Sequence, residues 1–290
     1  MTLPPTALIV EALQQLVLPP LVIGATLLLA SRFVARKHSG HIAAVVAFMA
    51  SLAVGNWLAS IHPNWWPETK RSTWLPWLAA AATISGLFVR PLRWNALGYS
   101  LFAAVLAVAA IRLVPKDYHT EPLWALPAFA LLIGLVGFGL LHLGEAQPGV
   151  AVPLLLATSL LTAGGVIIYA HSKSLMDLTT IGGYALIGLA IVAAFTKADV
   201  GAVYPGATLL LVGALFAAYH ETYSDVPAAG FAIPALAPLL GLVGLLPLVR
   251  RLKGWLRVAI VLGPAFIALG VALGLAMANE SLALDTEPEW

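Results

Sequence analysis

Cysteine is absent from this chain and charge is scarce. Without cysteine there is no disulfide, thiolate metal site, iron–sulfur cluster or Cys nucleophile, and thiols say nothing of the redox compartment. Asp, Glu, Lys and Arg make up 10% of the 290 residues, against about 25% in soluble domains. The formal charge of +2 is small, which speaks against a nucleic-acid partner. Catalytic signatures are missing as well. There is no H-E-x-x-H, no G-x-S-x-G, no P-loop and no dinucleotide-binding glycine motif, so the expectation is a protein that is not an enzyme. No Lys or Arg precedes the first apolar run, so a basic signal-peptide n-region is not indicated.

What the chain has in excess is apolar surface, at 61% hydrophobic residues. A soluble fold of this size would leave much of that surface facing water. In lipid, each backbone N–H and C=O must be satisfied within the structure, which leaves helices or a closed barrel. Barrel strands alternate apolar and polar residues, whereas this chain shows apolar runs of about 17–24 residues, enough to cross ~30 Å of hydrocarbon as helix. The reading is an all-α membrane protein with about ten transmembrane helices, at 16–33, 42–61, 74–90, 95–114, 123–143, 150–171, 177–196, 200–220, 228–249 and 257–278. The loops are too short for a soluble domain, so residues 1–290 form a single polytopic membrane domain. Residues 1–15 are read as an amphipathic segment on the outer surface, with Pro19-Pro20 breaking the chain before it enters the membrane. The alternative is a discontinuous helix that places Glu11 in the bundle. Residues 279–290 form an acidic outer tail. Pro234, Pro238 and Pro247 are expected to kink span nine, and Pro205 and Pro264 fall inside spans eight and ten.

Basic residues set the orientation. If the loop after span one is cytoplasmic, that side holds Arg32, Arg36, Lys37, Arg90, Arg93, Lys197, Arg250, Arg251, Lys253 and Arg257. The far side holds Lys70, Arg71, Arg112, Lys116 and Lys173. Of the acids, Glu145 and Asp199 alone fall on the cytoplasmic side. Both termini are therefore expected on the non-cytoplasmic side, in a bacterial cytoplasmic (inner) membrane. Trp65, Trp66, Trp74, Trp77 and Trp124 mark the outer interface and Trp94 and Trp255 the inner one, because an indole keeps its ring in the apolar zone and its N–H wet.

A weak repeat runs through the chain. Leu126-Pro127 to Gly137 resembles Ile233-Pro234 to Gly244, and Leu75-Pro76 with Gly86 keeps the Pro-to-Gly spacing. These segments suggest four repeated helical hairpins, spans two to nine, flanked by one helix at each end.

Two groups of residues are candidates for a site. Polar residues inside spans are few, and Asn56, Thr158, Thr162, Thr179 and Thr180 are candidates to line a substrate path. Hydroxyls in membrane helices mostly bond their own backbone or a neighbour, so this reading competes with plain helix packing. His62, His119, His171 and His220 sit at equivalent outer tips, the last three near tyrosines. Imidazoles there suit a metal or a haem, although histidine and tyrosine at helix ends are also ordinary interfacial residues. No cofactor is required by the sequence. Asp177 and Arg112 lie near the outer ends of their spans. Glycine-rich faces, including Gly164-Gly165, Gly182-Gly183, Gly188 and the pair Gly270 and Gly274, allow close helix approach. They also offer surfaces for a homo- or hetero-oligomer within the lipid bilayer. The first expectation is a transporter or flippase for a small or amphiphilic solute. The alternative is a non-catalytic subunit or scaffold of a larger membrane complex, with a metal or haem at the outer histidines.

Overall fold

A computed structural model describes residues 13–33, 39–59, 71–90, 92–114, 125–146, 149–196, 198–221, 226–252 and 254–285. Among these the chain is helical, without a strand. A π turn, Leu13–Val17, leads into α1 (Leu18–Ala30). There follow α2 (Ser39–Leu58), α3 (Arg71–Val89), α4 (Asn95–Leu113), α5 (Ala125–Ala146), α6 (Ala151–Tyr169), α7 (Lys173–Thr196), α8 (Tyr204–Glu221) and α9 (Ala228–Leu240). A short α10 (Pro247–Arg251) and the long α11 (Trp255–Asp285) complete the order. Nine of the described segments are long and apolar enough to cross a membrane, and Thr73–Val89 is a shorter apolar helix. The protein is an all-α, polytopic integral membrane protein. Its outside carries large apolar side chains, such as Phe33, Phe195, Ile267 and Leu248, which hydrocarbon tolerates and water does not.

Several helix ends depart from expectation. Pro19 and Pro20 do not break the chain. They occupy the first turn of α1, where proline removes N–H groups that have no helical partner anyway. The π turn before them continues the same span, which starts at Leu13. The amphipathic segment otherwise lies outside the described residues, as does Glu11. Pro205 likewise sits in the first turn of α8, after a 3-10 turn, Gly201–Val203. Pro234 and Pro238 lie within α9, which tightens into a 3-10 turn at Gly241–Leu245 and stops at an extended Leu246 before Pro247. Span nine is thus ended rather than merely kinked, because the residue before a proline avoids the helical region. The acidic tail begins as helix, since α11 runs to Asp285. Finally, α7 starts at Lys173, with Met176 N–H bonded to the Ser172 carbonyl. That is four residues before the expected 177, so Asp177 falls inside the helix.

Packing is organised around α8. In the stretch Gly201–His220, 94% of the residues considered are buried inside the protein, against 17% for Leu13–Ala30 and 28% for Trp255–Ala278. A helix enclosed on all sides needs no polar face, and α8 is in contact with α3, α4, α5, α6, α7 and α9. Lipid gives no hydrophobic force between helices, so close van der Waals fit must hold them together. Its clearest expression is the α3–α8 seam. A Cβ on Gly206 would lie 1.8 Å from Thr83 Oγ1 and 2.4 Å from the Ala79 carbonyl oxygen, and one on Gly86 would lie 2.1 Å from the Ala202 carbonyl oxygen. The two backbones touch here because neither residue has a side chain. Elsewhere α1 packs along α2 and α7, and α11 packs on α9 and α6. Sequence neighbours are not the main partners throughout: α2 packs more on α1 and α7 than on α3, and α8 more on α3 than on α9.

Candidate functional site

The strongest polar constellation gathers where α3 and α5 end and α8 begins, which we call the basic end. Arg90 follows the last turn of α3, and its side chain is only 8% exposed. Nη1 pairs with Asp199 Oδ2, and Nη2 donates to the Leu141 carbonyl at 3.0 Å. Nε lies 3.9 Å from Glu145 Oε1. Asp199 is fixed in turn, since its Oδ1 accepts the Gly201 N–H at 2.8 Å. This bond caps the 3-10 turn that starts the central helix. Small residues make room for the guanidinium. A Cβ on Gly144 would meet the Tyr204 ring at 2.6 Å and Arg90 Nη2 at 3.1 Å, and one on Gly201 would meet Arg90 Nε at 2.9 Å. Tyr204 itself is buried. Glu145 and its i−3 neighbour His142 are largely exposed, with 3.7 Å between Oε2 and Nδ1, so that outer pair adds little.

One arginine thus ties three helices together. The buried charge meets an opposite charge and a carbonyl, while Arg90 Nε is left without a hydrogen-bond partner. The arrangement has no nucleophile poised on a base. Its physical character is that of a clasp. Buried ion pairs gain little net stability over apolar packing, because desolvation offsets attraction. They hold one geometry while retaining an aqueous alternative in which each charge is hydrated.

The expected lining residues are not gathered here. Thr158 on α6 donates to the Leu154 and Leu155 carbonyls at 2.9 and 3.0 Å. Thr179 on α7 donates to Leu175 and Met176 at 3.1 and 2.9 Å. Thr179 and Thr180 do come together against Gly164, at 3.0 and 3.1 Å from where its Cβ would be. Thr162 is half-buried on α6. Asn56, near the end of α2, is half-buried, and its Oδ1 is buried without a hydrogen-bond partner. Two further buried oxygens share that condition: Asp177 Oδ1 on α7 and Thr208 Oγ1 midway along α8.

Of the histidines, His62 and His119 lie outside the described residues. His171 is exposed at the α6–α7 turn with a positive φ of 57°. His220 ends α8 with its ring 4.5 Å from Phe216 and 4.8 Å from Tyr219. No group of three or more metal-ligating side chains occurs among the described residues. The glycines behave unequally. Gly188 would clash with the Leu21 carbonyl at 2.3 Å, and Gly165 would meet Leu273 at 2.7 Å, yet Gly263, Gly270 and Gly274 have nothing within 4 Å.

Sequence reasoning used Arg90, Glu145 and Asp199 as markers of orientation and did not see a site in them. A signal was present, however: the only two acids assigned to the basic side are the two that meet Arg90. Thr208 gave no such signal, being one hydroxyl in an otherwise apolar span.

Neither the protein-family models nor the curated proteins searched match the chain.

Proposed function

We propose that the chain is a transporter or flippase for a small or amphiphilic solute, with the Arg90 clasp closing its cytoplasmic side. The observation that carries this reading is an ion pair between a buried Arg90 and a part-exposed Asp199, joining the ends of α3 and α5 to the start of an enclosed central helix. A permanent scaffold would hold such ends together better with apolar side chains. A moving assembly instead needs a closed state that water can reopen, and hydration of Arg90, Asp199 and Glu145 offers one. The excess of Lys and Arg at this end orients it to the cytoplasm, with both termini on the other side of a bacterial inner membrane. No catalytic activity is assigned.

The absence of cysteine provides the test, because every introduced cysteine is the only thiol. Thr158→Cys and Thr208→Cys should react with a membrane-impermeant maleimide from one side in the otherwise unchanged protein. In the background of Arg90→Ala they should react from the cytoplasmic side. If neither position ever reacts from either side, the bundle does not open and the transport reading fails.

A second reading, a subunit of a larger complex, is favoured by one observation: the open glycines of α11, Gly263, Gly270 and Gly274. Such a surface suits a closely approaching helix from another chain. Gly270→Cys would then give a disulfide-linked adduct in native membranes. A haem absorbance band lost on replacing His119 and His220 would add a cofactor to this reading.

A further inference from the structure

The end of the bundle opposite Arg90 contains a buried carboxylate that the clasp does not use. Asp177 is 1% exposed, and its Oδ1 has no hydrogen-bond partner. Its direction follows from its neighbours on α7. Ile181 meets Gly55 of α2, Ala185 meets Gly24 of α1, and Gly188 meets Leu21 and Ala25 of α1. Residues 177, 181, 185 and 188 fall on one stripe of a helix. Asp177 is therefore the outermost member of the stripe that faces α1 and α2. Helical side chains lean toward the N-terminus, so the carboxylate reaches the level of the first turn of α7. The π turn Leu13–Val17 packs there, against both α7 and α2. Asn56 follows Gly55 directly. The rise of 1.5 Å per residue puts Asn56 and Asp177 within about one turn of each other in height.

Both orphaned atoms, Asn56 Oδ1 and Asp177 Oδ1, are acceptors. Their missing partner must donate hydrogen bonds or carry positive charge. An isolated ionised carboxylate withdrawn from water does not persist; it is neutralised or paired. The chain supplies little for this. Lys173, one turn away on α7, acts on the carboxylate through its charge but is itself exposed and makes no hydrogen bond to Oδ1. Among the described residues of the π turn, of α1 and of the outer half of α2 there is no charged group, while His171 at the end of α6 is exposed. A π turn at this place adds a second sign, since such wide turns recur at functional sites.

We propose that Asp177 and Asn56, framed by the π turn, form a binding site for a monovalent cation. The proposal deepens the transport reading by naming the charge of the coupling ion or cargo. Binding itself needs no transport, and a non-transporting subunit would bind equally well, so the two readings fail separately.

The test uses the full-length protein purified in mild detergent, with ionic strength held by choline chloride, whose cation is too large for a gap between helices. Thermal melting is followed while sodium, potassium or ammonium replaces choline. A separate arm in choline alone runs between about pH 5 and 8, where carboxylates can be compared with histidines. At least one arm should raise the melting midpoint saturably, by mass action, and that arm identifies the ion, hydrogen ion included. Asp177→Asn should abolish that response. Asn56→Ala should require roughly tenfold more of the ion, the equivalent of about 1.4 kcal/mol. A wild-type protein flat in every arm overturns the proposal. So does a D177N protein that responds like wild type or, should D177N not fold, an N56A protein that does.

Discussion

At the basic end, Arg90 is buried among Asp199, the Leu141 carbonyl and Glu145, and its charge is balanced by the chain itself. At the opposite end, Asp177 is buried and Asn56 half-buried, and each keeps a buried acceptor oxygen without a donor. The charge of the first is neutralised within the chain, although Arg90 Nε keeps no hydrogen-bond partner, whereas the second has no opposite charge beside its carboxylate oxygen. The contrast teaches that burial alone does not mark a binding site in a membrane bundle. What marks it is a buried charge without an opposite charge bonded to it, because a charge withdrawn from water and left unpaired forfeits most of its hydration energy.

The two ends should therefore respond to substitution with opposite signs. The largest effect is expected for Arg90→Ala, which leaves Asp199 without its partner. Removing one member of a buried pair typically costs about 3–5 kcal/mol, readable as a lower unfolding midpoint in a mixed-micelle SDS titration. Replacing both partners, as Arg90→Met with Asp199→Leu, should recover most of the loss. A loss below about 1 kcal/mol for Arg90→Ala would mean that the pair is effectively solvated, and the comparison would break. Next comes Gly206→Ala at the α3–α8 seam that positions the clasp. The added methyl would press on Thr83 Oγ1 and the Ala79 carbonyl, an overpacking worth about 2–3 kcal/mol. Adding Thr83→Ala should relieve only part of it, since the carbonyl remains.

Asp177→Asn should stabilise the protein in choline alone by about 1–2 kcal/mol, as a bare buried acceptor becomes a group with its own donors. A destabilisation of similar size would show that Asp177 is already satisfied, and would remove the contrast between the ends. The smallest effect is expected for Glu145→Gln. Its side chain is 60% exposed, and exposed pairs contribute under about 1 kcal/mol, so the unfolding midpoint should barely move.

Much of the fold was legible in the chain. The helix from Asn95 to Leu113 ends within one residue of its expected limits, and Ala151–Tyr169 within two. Run length and composition are local properties, and hydrocarbon enforces them strictly. The misplaced features share a cause. Pro19-Pro20 was read as a break and Pro205 as lying inside its span, but whether a proline breaks or begins a helix depends on which turn it occupies. Asp177 was assigned to the end of its span because the hydropathy run starts at 177, while backbone bonding to Ser172 carries the helix one turn further. Gly270 and Gly274 match a packing motif, yet among the described residues nothing lies within 4 Å of where their Cβ atoms would be.

The sequence by itself determined the solvent, the approximate limits of most of the apolar helices, and the segregation of charge, since each depends on residues close together in the chain. Tertiary structure alone decided that Arg90 is buried and which acids it meets. Arg90 and Asp199 are 109 positions apart. They meet because glycines at 86 and 206 let α3 and α8 touch, a fit of shapes that no local pattern encodes. The same holds for Asp177 and Asn56, whose lack of donors became visible only when α1, α2 and α7 closed around them.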